Sequence, residues 1–247
     1  MRVQGLPFPV EVRGDLGAGG PVTLHVVLDN PFDDEAFDQL RCVVVWFARL
    51  AEYGALGGQT VPPARVAAKL VSDEPDARGL QPNWSFSSLR VDPTAIVVLA
   101  NLVYATRHAV RKLTIAAAGA QSTRELAASE YPERLTAVPF KLNEQLTQRT
   151  IELTVDFASD LADSKQEILI ETLQIWSMVG ALGGFREPEP LHDQMDLIPD
   201  DDPQITLDQL TYVFRDRGMN AAAYDVLINL LVAISQRVET IRAVELR

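Results

Sequence analysis

Two stretches of the sequence read almost alike: VLANLVYA at residues 98–105 and VLINLLVA at residues 226–233. Each carries one asparagine, Asn101 or Asn229, inside an otherwise apolar run. A helix that is apolar on nearly every side has to be covered on more than one face. We therefore expect each stretch to form a helix between its own sheet and a second surface, with Leu102 and Leu230 in that interface.

The two asparagines are unusual in this setting, because a buried amide lowers stability unless it finds hydrogen-bonding partners. One interpretation is that each asparagine fixes how two helices register, as a lone asparagine does in coiled coils. The other is that it bonds to a nearby backbone carbonyl or faces solvent. The sequence leaves both open, and Asn101 and Asn229 are candidate interface residues.

Three further pairs of segments match in the same order along the chain. VTLHVVLDNPFD (22–33) aligns with RTIELTVDFASD (149–160), GALGG occurs at 54–58 and again at 180–184, and FPVEVRGDL (8–16) resembles VPFKLNEQL (138–146). The matches remain colinear with small changes in spacing, as insertions and deletions in loops would produce. This pattern predicts an internal duplication, with one copy in residues 1–125 and a second in residues 126–247.

Hydrophobic periodicity predicts the same order of elements in both copies. In the first copy we expect a strand at 22–29, a helix at 33–53, strands at 65–71 and 83–91, a helix at 94–110 and a strand at 112–117. In the second we expect a strand at 150–157, a helix at 160–179, an irregular segment where the first copy has a strand, a strand at 205–215, a helix at 221–237 and a strand at 240–246. The βαββαβ order is that of ferredoxin-like folds. The predicted fold class is α+β: two tandem ferredoxin-like copies related by a pseudo-two-fold axis, each with room for an extra N-terminal strand.

The repeated GALGG follows the first predicted helix of each copy. Glycine at that end supplies the left-handed conformation that closes a helix. A phosphate-binding loop places its glycines before a helix instead. The pattern favours a helix-closing turn, and the alternative is a ligand-facing loop or a close contact between the copies.

Motifs of catalysis are absent from the sequence. It has no GxSxG, P-loop, HExxH or cysteine pair. The histidines His25, His108 and His192 are far apart, and Cys42 lies in the apolar run RCVVVWF, where we expect a buried structural thiol. We expect no cofactor, and the sequence favours a protein that is not an enzyme without deciding the matter.

The charge is concentrated in the second copy. The net charge is −12, and most of it comes from EPEPLHDQMDLIPDDDP (187–203), which holds seven acidic residues and no lysine or arginine. One interpretation is a solvated loop. The functional interpretations are a docking surface for a basic protein, or a divalent-cation site formed by His192, Asp193, Asp196, Asp200, Asp201 and Asp202.

These features predict a soluble, cytoplasmic binding or protein-interaction module without enzymatic activity, which uses the acidic second copy or the groove between copies. The alternative is an enzyme or small-molecule-binding protein with a pocket between the two sheets, which a deep pocket lined by His25 or His108 and a carboxylate would favour. A strongly negative chain is unsuited to nucleic acid. No apolar run approaches the roughly 20 residues of a membrane span, the amino terminus lacks a signal peptide, and a homo-oligomer is compatible with the apolar helices.

Overall fold

The computed structural model describes residues 8–29, 34–75, 81–127, 130–146, 148–186 and 197–247. Within these residues the chain forms a mixed α+β fold with two six-stranded sheets and four helices. The first sheet contains β1 (Val10–Arg13), β2 (Val22–Leu28), β3 (Ala67–Leu70), β4 (Asn83–Arg90), β5 (Val110–Ala117) and β6 (Thr123–Glu125). The second contains β7 (Lys141–Glu144), β8 (Thr150–Phe157), β9 (Leu197–Pro199), β10 (Gln204–Thr206), β11 (Gln209–Asp216) and β12 (Ile241–Leu246). The helices are α1 (Asp34–Glu52), α2 (Ile96–Ala105), α3 (Asp163–Ala181) and α4 (Ala222–Arg237).

The strand order follows the same scheme in both sheets. The first sheet runs β3-β4-β2-β5-β1-β6, and the second runs β10-β11-β8-β12-β7 with β9 also paired to β11. In each sheet the central strand, β2 or β8, is antiparallel to both neighbours. The strand that begins each half, β1 or β7, pairs in parallel with β5 or β12. We call residues 8–127 the first half, 130–140 the connecting segment and 141–247 the second half.

Alternation of side chains across each sheet positions the core. Leu24 of β2 lies opposite Trp84 of β4, and Leu153 of β8 lies opposite Tyr212 of β11. All four side chains are buried. The apolar face of each sheet is therefore built from an aliphatic central strand paired with an aromatic neighbour, and the helices pack on that face.

Strand pairing allows a second alignment of the two halves, which differs from the sequence alignment by two residues. The sequence alignment pairs Thr23 with Thr150. If Leu24 is aligned with Leu153 instead, because each lies opposite a buried aromatic residue of the neighbouring strand, Thr23 is paired with Glu152. Side chains repeat their direction every two residues in a strand, so a shift of two preserves the pattern of inward and outward positions. For that reason hydrophobic alternation alone does not distinguish the two alignments.

The helices bury most of their surfaces against each other and the sheets. Eight consecutive residues of α2, from Ile96 to Val103, are buried, and so are all α4 residues from Ala222 to Ile234 except Asp225. Leu102 and Leu230 are fully buried. Buried side chains of both halves belong to one continuous core. In the described part of the chain no helix has the length and apolar character that crossing a bilayer requires.

Several element boundaries differ from the predicted ones, among them α3, which begins at Asp163 rather than residue 160, and two of the differences have a clear backbone cause. The helix expected over 94–110 begins as a short 3-10 helix at Pro93–Ala95 and ends at Ala105, because Arg107 adopts a φ of 62° and the chain enters β5 at Val110. The single strand expected over 205–215 is a hairpin, since Leu207 has a φ of 50° between β10 and β11. Tight hairpin turns favour glycine or asparagine at positive φ, so a leucine gave no turn signal.

Candidate functional site

The contact between the halves is centred on the two asparagines. Asn101 of α2 donates from Nδ2 to the carbonyl oxygens of Gly184, at 3.3 Å, and Arg186, at 2.8 Å. Asn229 of α4 donates from Nδ2 to the carbonyl oxygen of Gly57 at 3.1 Å. Each asparagine thus binds backbone carbonyls as one interpretation expected, but these carbonyls belong to the glycine-rich segment of the opposite half.

The connecting segment completes this network. The Tyr131 hydroxyl oxygen lies 2.7 Å from Asn101 Nδ2 and accepts its hydrogen bond. The amide of Leu135 donates to Asn229 Oδ1 at 3.2 Å, and the carbonyl of Glu133 accepts from Asn229 Nδ2 at 3.3 Å. Because both ends of the Asn229 amide are used, this buried polar group is compensated.

The repeated GALGG closes a helix in both halves, as the helix-closing interpretation predicts. Gly54, after α1, has a φ of 95°, and Gly183, after α3, has a φ of 82°. The next amide, of Ala55 or Gly184, bonds to the carbonyl five residues earlier at 3.2 and 2.9 Å respectively. This is the Schellman arrangement. The left-handed position is taken by Gly54, the first residue of its GALGG, and by Gly183, the fourth residue of its GALGG. The two GALGG segments are therefore displaced by three residues relative to the ends of their helices.

The first GALGG also allows close approach between the halves. A Cβ atom on Gly54 would lie 2.5 Å from Cβ of Ala233 in α4, and one on Gly58 would lie 2.8 Å from the carbonyl oxygen of Glu133. Neither distance is compatible with a side chain. The close contact between copies that the sequence left as an alternative therefore coexists with the helix-closing role.

A cleft opens where the two halves and the connecting segment meet. Its volume is about 1020 Å³, and it is lined by the 3-10 turn before α2, the start of α4 and the connecting segment. Its charged lining residues, which define the interhalf cleft, are Asp15, Asp92, Arg124, Glu130, Glu133 and Asp225. Five carboxylates and one guanidinium make this cleft strongly negative.

Hydrogen bonds and an ion pair within the protein compensate part of the negative charge of the cleft. Asp92 is buried and caps the turn before α2, where its Oδ1 accepts from the Thr94 amide at 3.0 Å and its Oδ2 accepts from the Thr60 hydroxyl. Arg124 forms an ion pair with Glu130. The one cation of the cleft lining is therefore already engaged, and Asp92 has a structural role.

The remaining carboxylates have weaker compensation. Desolvation raises the pKa of Asp225, Arg134 lowers it, and the nearby Glu144 and Glu133 raise it further. Arg134 Nε lies 3.6 Å from Asp225 Oδ1. The same guanidinium also forms an ion pair with Glu144, whose Oε2 lies 2.6 Å from Nη1. Together these effects raise the pKa of Asp225 above its ordinary value. A cation bound nearby would therefore stabilise the ionised form of Asp225.

A second cavity of about 630 Å³, the polar groove, lies between α1, α3 and the end of α4. Arg49 and Glu171 cross it with a 2.8 Å ion pair. Burial, followed by a hydrogen bond with the Glu171 carboxylate, raises the pKa of Tyr53 to about 12. Arg237 donates to the carbonyl oxygens of Pro63 and Val66, so this side chain ties α4 to the first half.

A third cavity of about 290 Å³, the apolar groove, lies between α1, α2 and Leu182. Cys42 is exposed in its wall, so the prediction of a buried thiol is wrong. The buried stripe of α1 runs through Leu40, Val43 and Phe47. Cys42 falls beside that stripe, and the continuous apolar letters of RCVVVWF obscured this difference.

The histidines do not form a catalytic group with these cavities. His25 of β2 has its Nδ1 2.6 Å from Asn83 Oδ1, and His108 lies between α2 and β5. Neither lines the interhalf cleft, the polar groove or the apolar groove. His192 lies outside the described residues.

The acidic segment is described only from residue 197 onward, so His192, Asp193 and Asp196 of the predicted metal site lie outside the described residues. Arg215 Nε lies 3.0 Å from Asp200 Oδ1, and Gln174 donates to Asp202 Oδ1 at 2.9 Å. Among the described residues no group of three or more potential ligands could hold a metal ion. The cation site that includes Asp200, Asp201 and Asp202 stays a prediction.

The carboxylates of the interhalf cleft were not among the residues singled out in the sequence. Asp15, Glu133 and Asp225 come from three distant parts of the chain and share no motif. Only Asp225, in the first turn of α4, gives a local signal, and such acids are common at helix starts. Their convergence depends on how the halves pack, which local patterns do not encode.

Comparison with known proteins gives no family. No protein-family model and no curated protein matches the sequence. Similar solved structures include a conserved protein from Enterococcus faecalis V583, with 8% identity, a TM-score of 0.20 and coverage of 92% of this chain and 77% of that one. Thermus thermophilus Cas6 has 12% identity and a TM-score of 0.18, with coverage of 88% of this chain and 90% of that one. A Cas6 product complex has 12% identity and a TM-score of 0.17, with coverage of 88% of this chain and 92% of that one. TM-scores this low support no conclusion about fold or function.

Proposed function

We propose that this protein is a non-enzymatic binding module that holds a cationic segment of a partner protein in the interhalf cleft. The observation that carries the proposal is the cleft itself, with a volume of about 1020 Å³. Its described lining residues include five carboxylates and a single arginine, which is ion-paired with Glu130. Like charges in a concave site with protein walls focus the electrostatic potential and raise the local concentration of cations.

The fixed geometry of the cleft supports this role. Asn229 binds Glu133 and Leu135 of the connecting segment, and Asn101 binds Tyr131, so the wall of the cleft is held by buried hydrogen bonds. A site that is already ordered loses less conformational entropy when a partner binds. The acidic segment is a weaker candidate, since Asp200 and Asp202 are already engaged by Arg215 and Gln174.

An enzymatic role has less support. Asp225, with its raised pKa, is the titratable group of the cleft that most resembles a general acid or base. However, the described lining residues of the cleft include no histidine, cysteine or serine, and the hydroxyls of Thr60 and Thr94 both donate to Asp92. Acid–base chemistry by Asp225 would therefore have no activated nucleophile beside it.

We also infer that the two halves are tandem ferredoxin-like copies related by a pseudo-two-fold axis. The common strand order and the parallel strand at the start of each half support it. Helices α1 and α3 have equal lengths of 19 residues, and each end of α3 lies 129 positions after that of α1. An experimental structure in which Asn101 and Asn229 fail to superpose, when the halves are overlaid, would end this inference.

Calorimetric titration of a short oligolysine peptide in low salt tests the binding proposal. The double variant Asp225→Asn with Glu133→Gln should bind the peptide about 1–2 kcal/mol more weakly, at roughly 0.5–1 kcal/mol per partly exposed carboxylate. High salt should weaken binding to the wild-type protein.

The matched control is Asp200→Asn, Asp201→Asn and Asp202→Asn together, which removes more charge but leaves the cleft intact. It should bind the peptide nearly as well as the wild type. The proposal is wrong if the cleft variant keeps full affinity, or if the control loses as much affinity as the cleft variant does.

A further inference from the structure

The apolar and polar grooves occupy corresponding places in the two halves. With the 129-residue offset between α1 and α3, Cys42 corresponds to Glu171 and Leu182 corresponds to Tyr53. On the second helix of each half, Ala105 of the apolar groove corresponds to Ala233 of the polar groove when Asn101 is matched with Asn229. The two cavities are therefore the same feature with different side chains.

Two corresponding positions determine the difference in chemistry. In the polar groove the Tyr53 hydroxyl and the Glu171 carboxylate are hydrogen-bonded to each other. In the apolar groove these positions hold Leu182 and Cys42, which cannot form such a bridge. The apolar groove is consequently lined mainly by hydrocarbon and a thiol, with Asp38, Gln39 and Thr106 as its polar members. Removing such an apolar surface from water is favourable.

The size and charge of the apolar groove restrict what it can bind. Its volume of about 290 Å³ suits a small organic molecule and lies at the lower end of the usual range for ligand pockets, on the order of 300–1000 Å³. Asp38 is the only charged side chain among its described lining residues, and it lies at the exposed start of the groove. An anionic ligand would be repelled there, whereas a cationic group would be attracted.

We propose that the apolar groove binds a small organic ammonium ion. Its hydrocarbon group lies against Ala105 and Leu182 beside Cys42, and its ammonium group lies beside the Asp38 carboxylate. This site is separate from the interhalf cleft, and neither proposal depends on the other.

The single cysteine provides a direct readout, because Cys42 lies in the wall of the groove and is the only thiol in the chain. The rate of Cys42 alkylation by iodoacetamide is measured with increasing cyclohexylammonium, cyclohexanol or cyclohexanecarboxylate at neutral pH. All three share one hydrocarbon ring and differ in charge. We expect cyclohexylammonium to protect Cys42 saturably and at the lowest concentration, and the carboxylate to protect least.

Two variants locate the effect. Asp38→Asn should reduce the advantage of the ammonium ion over the alcohol about threefold, the size expected of an exposed ion pair, whereas Asp34→Asn on the same helix should not. Ala105→Leu should fill the groove and abolish protection, with folding checked by circular dichroism.

Equal protection by the ammonium ion and the carboxylate, or an unaltered preference in Asp38→Asn, would overturn the charge assignment. An unchanged alkylation rate with every compound would overturn the site itself. Because the comparison of the three compounds uses the wild-type protein, it decides the question even if Ala105→Leu fails to fold.

Discussion

Asn101 and Asn229 make reciprocal contacts across the molecule: each lies in a buried helix of one half and donates to a glycine carbonyl of the other. The acceptors are Gly184, 3.3 Å from Asn101 Nδ2, and Gly57, 3.1 Å from Asn229 Nδ2. A buried amide that bonds across an interface favours one arrangement of the two parts over alternatives. This exchange fixes the position of the connecting segment, and hence the shape of the interhalf cleft.

Replacing Asn229 with alanine should destabilise the protein by about 1–3 kcal/mol, because the partly buried amide of Leu135 and the buried carbonyl of Gly57 lose their partner. Urea denaturation measures the loss. The control is Asn143→Ala, which removes an exposed 3.4 Å contact with Glu245 and should change stability by less than about 0.5 kcal/mol. Equal effects of the two variants would contradict the role assigned to Asn229.

The substitution Gly54→Ala should be more harmful than Gly119→Ala. Both glycines have positive φ, 95° and 73°, so both variants incur backbone strain of about 1–2 kcal/mol. Only at Gly54 would the new Cβ collide, at 2.5 Å from Ala233 Cβ, while nothing lies within 4 Å at Gly119. Overpacking adds about 1–3 kcal/mol. Indistinguishable melting temperatures for the two variants would show that the halves are not in contact there.

Truncating Leu102 or Leu230 to alanine should cost about 2–5 kcal/mol each, as for a core leucine. Both side chains are fully buried, whereas the control Leu207 is 72% exposed and should cost little when truncated. Chemical denaturation of the three variants tests the burial of α2 and α4. A cost below about 1 kcal/mol at either core position would mean that water reaches that helix face.

Alkaline pH should weaken the fold through Tyr53. Its pKa in the folded protein is about 12, against an ordinary value of 10.0, mainly because of burial and then the Glu171 carboxylate. The folded state therefore keeps a proton that the unfolded state releases, so this contribution is complete below pH 10 and is lost as the pH rises towards 12. The variant Tyr53→Phe should show a smaller decline of the denaturation midpoint over this interval.

Ultraviolet titration of the phenolate gives an independent check of the same pKa. The absorbance of Tyr53→Phe is subtracted from that of the wild type at each pH, which isolates Tyr53. The difference should rise with a midpoint near 12, whereas a midpoint near 10.0 would contradict the burial of Tyr53. Glu171→Gln should lower the midpoint only partly, since desolvation remains.

Local patterns were sufficient to predict most elements of this fold. The strand predicted at 150–157 is β8 with the same bounds, and the helix predicted at 221–237 is α4 within one residue. Alternation and continuous apolar runs are properties of neighbouring residues, so they can be read from the sequence. The tandem relationship of the halves stays a prediction, supported by the common strand order.

Most of the candidate site could not be predicted from the sequence. Asn101 and Asn229 were identifiable because each is a rare polar residue in an apolar run, but their partners lie 83 and 172 positions away. Cys42 was misplaced because three valines after it concealed the edge of the buried stripe. The cleft carboxylates became visible only once the packing of the halves had brought distant segments together.

Nuclear magnetic resonance of the backbone amides during titration with oligolysine locates the bound peptide residue by residue. We expect the largest shifts at Thr94, Tyr131, Glu133 and Ala221, which line the interhalf cleft, and we expect salt to reverse them. If the shifts instead concentrate in residues 197–203, or are absent at millimolar peptide, the cleft is not the binding site and the proposed function is wrong.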